Sequence, residues 1–348
     1  MTSTGSLKKD VELEFHFFVC HTPFQRLLAQ QYCRLQLDSH AKYFIFYEDA
    51  KCNSPQHYED TLVLPGYDGF FSAKGKAEFN VELIGNTILE KSTVGKYYVY
   101  LSDLRWTTNN YLFFRTDIAS PDNTIMFVDG LGSYLDRKDP IKTLGYSCAK
   151  QLFSVLTRAK FRYSSFTGNY FGYDKCRALK VIGPRAELIQ GTIEKEDFSI
   201  VNLPSIEKFQ AGKEKLLFLG QPLVNRCCSE ATAQKIALKA ISKVSNLGPL
   251  EKYYKPHHFE SNTIKELFYQ HGFTPIETES CVEELITNES YQNIVSYFSS
   301  GLAFSKLILG TQVKCYSVCF EDVAPLVFRK KEQHELKSLL RDFDIAFL

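Results

Sequence analysis

The 348-residue sequence lacks the short motifs that mark several enzyme classes. It has no GxxxxGK[ST] phosphate loop, no GxSxG nucleophile elbow and no HExxH zinc motif. It also has no CxxC pair, which argues against a structural zinc site. The DxD sequence at 342–344 lies beside a charged helical pattern and indicates a surface segment. We therefore expect neither a bound metal nor a cofactor.

Long hydrophobic runs and a strong net charge are missing too. No apolar run approaches the roughly 18 residues of a membrane span, and the first residues, MTSTGSLKKDVELEF, contain no apolar signal core. The net charge of +1 supplies no field that would attract nucleic acid. The ten cysteines are scattered, which favours free thiols in a reducing compartment. We expect a cytoplasmic protein with no nucleic-acid partner.

Short apolar runs alternate with helical patterns along both halves of the chain. The length exceeds what one compact core usually holds, and the 44% hydrophobic and 23% charged content is typical of soluble globular proteins. Strands are predicted at 13–20, 42–48, 96–102, 123–129, 215–220, 251–255 and 312–318. This alternation predicts an α/β protein with two Rossmann-like doubly wound domains facing across a cleft. The predicted domains are 1–200 and 201–348, with a polar linker within 185–212.

In doubly wound sheets, ligands bind beyond the carboxyl ends of the strands, so the residues that follow each strand are the candidates. Thr22, Pro23 and Gln25 begin a helix with an N-cap, a favourable first residue and a capping-box partner. The same helix N-terminus can instead offer N–H groups to a substrate. Asp129 leaves a strand and enters a turn, where Gly130 lets the backbone approach a ligand closely. The Asp129 carboxylate either accepts a proton from an attacking hydroxyl or bonds to its own backbone as a turn residue.

Two loops follow the first strands of the second half. Gly220, Gln221 and Pro222 form a sharp turn, which either contacts a nucleotide or is a plain turn. In the stretch YYKPHHFE, Pro256 ends a strand and presents His257 and His258 on a loop. These two rings are either functional imidazoles or ordinary surface side chains.

Two further groups lie closer to the C-terminus. Glu283 and Glu284 either supply a carboxylate that binds both hydroxyls of a ribose or form a solvated acidic helix turn. Ser299 and Ser300 precede a helix. Their hydroxyls and the helix N–H groups would form an anion site suited to phosphate, unless the pair is only an N-cap.

The order HTPFQ, VDG, GQPL, KPHH, VEEL and SSGLA resembles bacterial sialyltransferases, above all glycosyltransferase family 52, the lipooligosaccharide and capsule sialyltransferases. The likeness spans residues 13–318 and implies the GT-B arrangement of an acceptor-side N-terminal domain and a CMP-sugar-binding C-terminal domain. Two positions depart from the family pattern. Val128 stands where the family has an acidic residue before Asp-Gly, and His258 stands where it has the proline of His-Pro.

The resemblance implies a role for each candidate. Asp129 would be the general base, and His257 would stabilise or protonate the departing CMP phosphate. The donor-binding residues would be Gly220, Gln221, Pro222, Lys255, His258, Glu283, Glu284, Ser299 and Ser300. The acceptor-binding residues would be Thr22, Pro23, Gln25 and Gly130.

The expected function is that of an inverting, metal-independent sialyltransferase. It would move sialic acid from CMP-sialic acid to a galactose-terminated glycan of a lipooligosaccharide, capsule or glycolipid, in α-2,3 linkage. The alternatives are a polysialyltransferase or related keto-sugar transferase, and a non-catalytic nucleotide-sugar-binding protein of the same fold. Family members often dimerise, which implies a homodimer.

The segment 327–348 mixes basic residues with Leu336, Leu339, Leu340 and Phe343. This mixture predicts a peripheral contact with the inner membrane, where a glycolipid acceptor would reside. Packing of a C-terminal helix on the domain is the alternative.

Overall fold

Parallel β-strands with helical connections make up both halves of the protein in a computed structural model. The structure describes residues 13–66, 74–135, 140–169, 171–174, 177–198, 214–224, 227–278 and 280–348. Residues 1–12, on which the prediction about a leader depends, and residues 199–212 of the predicted linker lie outside the described residues. The described residues fall into two compact units. The first comprises 13–129, 140–187 and 191–198 apart from the gaps, and the second 130–135, 188–190 and 214–348.

The first unit is built on an eight-stranded sheet. Its strands are β1 (Glu14–Cys20), β2 (Lys42–Asp49), β3 (Gln56–Tyr58), β4 (Thr61–Pro65), β5 (Lys96–Leu101), β6 (Thr124–Phe127), β7 (Lys180–Gly183) and β8 (Glu194–Asp197). Its helices are α1 (Pro23–Gln36), α2 (Lys74–Ser92), α3 (Thr107–Phe114) and α4 (Pro140–Leu156). The strand order is β3-β4-β2-β1-β5-β6-β7-β8, and every pair is parallel except β3 with β4.

The second unit is built on a six-stranded, fully parallel sheet. Its strands are β9 (Lys215–Leu219), β10 (Glu251–Lys255), β11 (Thr274–Pro275), β12 (Asn293–Ser296), β13 (Lys314–Ser317) and β14 (Ala346–Phe347), in the order β11-β10-β9-β12-β13-β14. Its helices are α5 (Glu230–Ser245), α6 (Asn262–Gln270), α7 (Val282–Asn288), α8 (Ser300–Leu309), α9 (Phe320–Val327) and α10 (Lys330–Asp342). Short 3₁₀ turns lie at Leu131–Tyr134, Ala186–Leu188 and Gly310–Gln312. The predicted α/β class with two doubly wound units is confirmed.

Aromatic side chains fill the space beneath the central strands. In the second unit Phe218 of β9 packs against Phe268 and Tyr297, with ring centroids 4.6 and 5.6 Å away. In the first unit Phe18 of β1 stacks on Tyr100 of β5 at 4.0 Å. Strands covered on both faces need such continuous apolar runs, which is why the strand predictions from the sequence succeed.

The structure differs from the expectations for two connecting and terminal segments. Within the predicted linker, residues 194–197 form β8 at the edge of the first sheet. Its sequence, EKED, has no apolar side chains because an edge strand faces solvent and is kept from pairing by charge. In the tail, Leu336, Leu339, Leu340 and Phe343 are all buried in the second unit, so they cannot insert into a membrane. The alternative, a C-terminal helix packed on its domain, is what the structure has. Among the described helices, none has both the length and the apolar character that a membrane crossing requires.

Candidate active site

Both sheets have a point where the chain reverses its direction of winding. In the first sheet the neighbours of β1 are β2 and β5, and in the second the neighbours of β9 are β10 and β12. Open α/β sheets bind ligands outside the carboxyl ends of the strands at this point. The residues that follow β1 and β5, and those that follow β9 and β12, are therefore where a site is expected in each unit.

Asp129 is held in the first unit by the N-terminus of α1. Thr22 caps this helix, and its Oγ1 accepts the N–H of Gln25 at 3.2 Å. The side-chain oxygen of Gln25 accepts the N–H of His21 at 2.7 Å, one residue earlier than a capping box requires. This bond turns the amide nitrogen of the fully buried Gln25 toward Asp129, and Nε2 donates to Oδ1 of that carboxylate. Gln25, predicted to bind an acceptor, instead orients Asp129.

The surroundings of Asp129 favour its protonated form. Burial above all, and the nearby Asp103 in addition, raise the pKa of this carboxyl to about 7. The hydrogen bond from Gln25 and the charges of Arg105 and His21 oppose the rise. A carboxyl with a pKa near neutrality is suited to accept a proton at physiological pH and to release it again.

Asp103, the other acid of this group, is committed to an ion pair. Its carboxylate accepts hydrogen bonds from the side chain of Arg105, with Nε 2.7 Å from Oδ2, and from the Arg105 N–H at 2.7 Å. Asp103 is buried, so the guanidinium supplies the positive charge that a buried carboxylate needs. Of the two acids, Asp129 is the one suited to exchange a proton.

A buried histidine lies next to this pair. His21, the first residue after β1, has Nδ1 3.1 Å from Oε2 of Glu48, whose Oε1 accepts the hydroxyl of Thr108. The imidazole stacks on Trp106 with ring centroids 4.6 Å apart. Its Nε2 is buried without a hydrogen-bond partner among the described residues. The first unit thus gathers acids, an imidazole and a guanidinium at the carboxyl ends of neighbouring strands.

In the second unit, three loops are tied together at the reversal point. The side-chain oxygen of Gln221, after β9, accepts the N–H of Phe298, after β12, at 3.1 Å. In the loop after β10, Oε2 of Glu260 accepts the N–H of His257 at 3.0 Å, and the backbone of Gln221 in the turn after β9 also hydrogen-bonds to the Glu260 carboxyl. A Cβ placed on Gly220 would lie 2.0 Å from the same oxygen, so only glycine fits there. Gln221, Gly220 and His257, all predicted from the sequence, belong to one connected structure.

The orientation of His257 is fixed by its own loop. The N–H of Phe259 donates to Nδ1 of His257 at 3.2 Å, so the proton of the neutral ring is on Nε2. The ring stacks on His258 with centroids 4.2 Å apart, and His258 is exposed. His257 therefore presents an N–H donor rather than an acceptor.

The paired serines begin α8. Ser299 is the N-cap, and its Oγ accepts the N–H of Gly301 at 3.2 Å, while Ser300 is the first helical residue. Gly130 belongs to the same unit, and a Cβ placed on it would lie 3.7 Å from Cβ of Ser300. Its φ of 136° is a conformation that favours glycine. The N-cap interpretation of Ser299 is correct. The first turn of α8 lies beside the backbone of Gly130, which has no side chain.

The remaining donor-side candidates are partly or fully buried. Burial lowers the pKa of Lys255, whose Nζ donates to the carbonyl of Thr278 at 3.2 Å. Burial also raises the pKa of Glu283, whereas Glu284 is partly exposed. Pro222 is half-buried in the turn after β9. Glu283 is thus not part of a solvated acidic turn.

Several residues of these sites are absent from the sequence-based candidates: His21, Glu48, Asp103, Arg105 and Glu260. Glu48 lies next to the last residue of β2, and Asp103 follows β5. Inspecting the carboxyl end of every strand would therefore find both residues. Glu260 has no such pattern. Burial raises its pKa to about 7, and only the folded loop places it beneath Gly220.

Comparisons with known proteins show the fold and nothing finer. No protein-family model and no curated protein matches the chain. The structure of Staphylococcus aureus MnaA with UDP gives a TM-score of 0.51 at 10% identity, covering 96% of this chain and 88% of that one. A structure from Listeria monocytogenes gives a TM-score of 0.50 at 9% identity, covering 96% of this chain and 88% of that one. The structure of an alpha/beta-galactoside alpha-2,3-sialyltransferase from Photobacterium phosphoreum gives a TM-score of 0.49 at 12% identity, covering 97% of this chain and 99% of that one. By the first two of these structures, the chain is similar to proteins of the GT-B fold with two Rossmann-like domains, as predicted.

Proposed function

We propose that the protein is an inverting glycosyltransferase that moves sialic acid from CMP-sialic acid to a galactose-terminated glycan. The observation that carries this proposal is the connected group of three loops in the second unit. Gln221 and Glu260 hold the loops together, His257 presents an N–H, and the serine pair begins α8. The N–H of His257 and the start of α8 at the serine pair are suited to a leaving phosphate.

In this proposal the donor is activated by stabilising the nucleotide that leaves. The bond between the anomeric carbon and the phosphate oxygen breaks, and negative charge develops on the phosphate. The Nε2–H of His257, the hydroxyl of Ser300 and the N–H groups at the start of α8 are donors that stabilise this charge. CMP then leaves with both bonding electrons.

The acceptor is activated by Asp129. The acceptor hydroxyl gives its proton to the carboxylate as its oxygen forms the new bond to the anomeric carbon, on the face opposite the departing phosphate. The pKa of about 7 makes Asp129 a base that is largely ionised above neutrality, and Gln25 orients it. Attack from the opposite face inverts the anomeric configuration.

The choice of sugar rests on the motif order rather than on the geometry. The GT-B fold supports transfer from a nucleotide sugar in general, and the motifs HTPFQ, VDG, GQPL, KPHH, VEEL and SSGLA favour CMP-sialic acid. The α-2,3 linkage, independence of a metal and the homodimer are further parts of the proposal. Eight described cysteines are free thiols, which supports a cytoplasmic location: Cys20, Cys33, Cys52, Cys148, Cys228, Cys281, Cys315 and Cys319.

The experiment is to incubate the protein with CMP-sialic acid and lactose and to follow CMP release and the product anomer by NMR. We expect turnover with inversion, lost in Asp129→Asn and in His257→Ala. Matched controls are Asp122→Asn and His271→Ala, which replace an exposed acid and an exposed histidine and should keep turnover. CMP binding without turnover on any acceptor would show a binding protein instead. Turnover of UDP-sugars alone would contradict the choice of donor.

A further inference from the structure

Helix α4 of the first unit has its polar and apolar faces reversed relative to an ordinary surface helix. Ser147, Lys150 and Ser154 lie on its buried face. The opposite face exposes an apolar stripe, defined as Ile141, Leu144, Cys148, Leu152, Val155 and Leu156. At about 100° per residue these positions cover an arc of about 120°, the width of stripe that normally faces a protein core.

The exposure of this stripe is large and is fixed by the polar contacts of the other face. Ile141 is 83% exposed, Leu152 59% and Leu156 72%. On the buried face, the hydroxyl of Ser147 donates to the carbonyl of Phe166 at 3.2 Å, and Nζ of Lys150 donates to the carbonyl of Arg105 at 2.6 Å. Rotating the helix to bury its leucines would break these bonds. The apolar stripe is therefore held outward by the fold.

The charge around the stripe indicates what covers it. Residues 140–173 contain no acidic residue, and of their basic residues Lys150 lies on the buried face, whereas Arg158, Lys160 and Arg162 are exposed just beyond the end of α4. The acids that face this segment from α2 are Glu78 and Glu82, and Glu82 pairs with Lys160 at 2.7 Å. Pairing two copies of this face would bring like charges together, whereas an anionic lipid surface would attract them. A helix with an outward apolar stripe among basic residues is typical of binding in the plane of a membrane interface.

We propose that the apolar stripe of α4 docks the protein on an anionic membrane surface and presents a membrane-borne acceptor to Asp129. The link to the site lies within the first unit. Lys150, on the back of the same helix, bonds to the backbone of Arg105, whose side chain pairs with Asp103 beside Asp129. The docking itself stands alone, while the presentation of an acceptor rests on the proposed function. The predicted contact through 327–348 is thereby replaced by one through α4.

The test is sedimentation of the full chain with vesicles, in the absence of donor and acceptor. One vesicle type contains phosphatidylcholine alone and the other contains phosphatidylcholine with phosphatidylglycerol. We expect binding to the anionic vesicles that weakens as salt rises from about 0.1 M to about 1 M, where screening shortens from about 10 Å to about 3 Å. Leu152→Ser with Leu156→Ser should weaken partitioning about tenfold or more, because two apolar anchors are lost.

A matched control keeps the test specific to α4. Leu238→Ser with Leu326→Ser replaces two exposed leucines of α5 and α9 and should bind like the wild type. Equal thermal unfolding midpoints of both variants would show that neither has lost its fold. Absence of vesicle binding by the wild type, or full binding by the Leu152 and Leu156 variant, overturns the proposal.

Two further readouts separate this proposal from its rivals. If the wild type is a dimer that the α4 variant turns into a monomer, without vesicle binding, the stripe is an interface between copies and the proposal is wrong. CMP release with soluble lactose should be unchanged in the α4 variant. If no CMP release occurs at all but the α4 variant loses vesicle binding, the proposed function fails and the docking surface stands.

Discussion

Replacing Gln25 with methionine should raise the pKa of Asp129 further. Methionine keeps the length and volume of the side chain but removes the amide that donates to Oδ1 of Asp129. A hydrogen bond to a charged group is worth about 1.5–3 kcal/mol, and about 1.4 kcal/mol corresponds to one pKa unit. The loss should therefore raise the pKa of Asp129 by about one to two units, because the ionised form loses its donor.

The assay is kcat/KM for CMP release across a pH series. A base acts when ionised, so activity should fall as the pH drops through the pKa of Asp129, about 7 in the wild type. In Gln25→Met the fall should move upward by about one to two pH units, with nearly normal activity well above it. The carboxyl resonance of labelled Asp129, identified by its absence in Asp129→Asn, gives the same shift without any substrate.

Helix α1 supplies the matched control. Nε2 of Gln30 donates to Oδ1 of Asp60 at 2.9 Å, so Gln30→Met removes the same kind of bond from the same helix without touching Asp129. In this variant the activity should fall at the same pH as in the wild type. The role assigned to Gln25 would be refuted if the pH at which activity falls did not change in Gln25→Met, or if it shifted equally in Gln30→Met.

The other predictions concern the second unit. Gly220→Ala would place Cβ 2.0 Å from Glu260 and should lower the free energy of unfolding in urea by about 1–3 kcal/mol. The control Gly145→Ala, with nothing within 4 Å of the added Cβ, should be neutral or stabilising. Equal effects of the two substitutions would contradict the close packing at Gly220. Folding raises the pKa of Glu260 from 4.5 to about 7, so its contribution to stability falls as pH rises through that window. Relative to the wild type, the free energy of unfolding of Glu260→Gln should therefore increase by up to about 3 kcal/mol from acidic pH to pH above 7. A difference that does not change with pH would contradict this. Ser299→Ala should cost about 1 kcal/mol by removing the cap of α8 and should weaken CMP binding in calorimetry, which an unchanged affinity would contradict.

Local sequence patterns were enough to predict the parts of this protein that depend on near neighbours. The apolar and aromatic runs predict β1, β2, β5, β6, β9 and β10 to within two residues, because a parallel sheet is covered on both of its faces. The carboxyl end of each strand then indicates where Asp129, Gly220, His257 and Ser299 lie. The charged edge strand β8 has no such run, and it was predicted as linker.

Contacts between distant parts of the chain were decided only by the tertiary structure. Gln25 and Asp129 are 104 residues apart, and their bond exists because the order of the strands brings the ends of β1 and β6 to one edge of the sheet. The same holds for Gln221 with Phe298, 77 residues apart. Periodicity shows that a helix has two faces but not which one meets the core. The leucines of α10 are buried and those of α4 are exposed, because the inward face of each helix is chosen by what the neighbouring strands and loops can bond to or pack against.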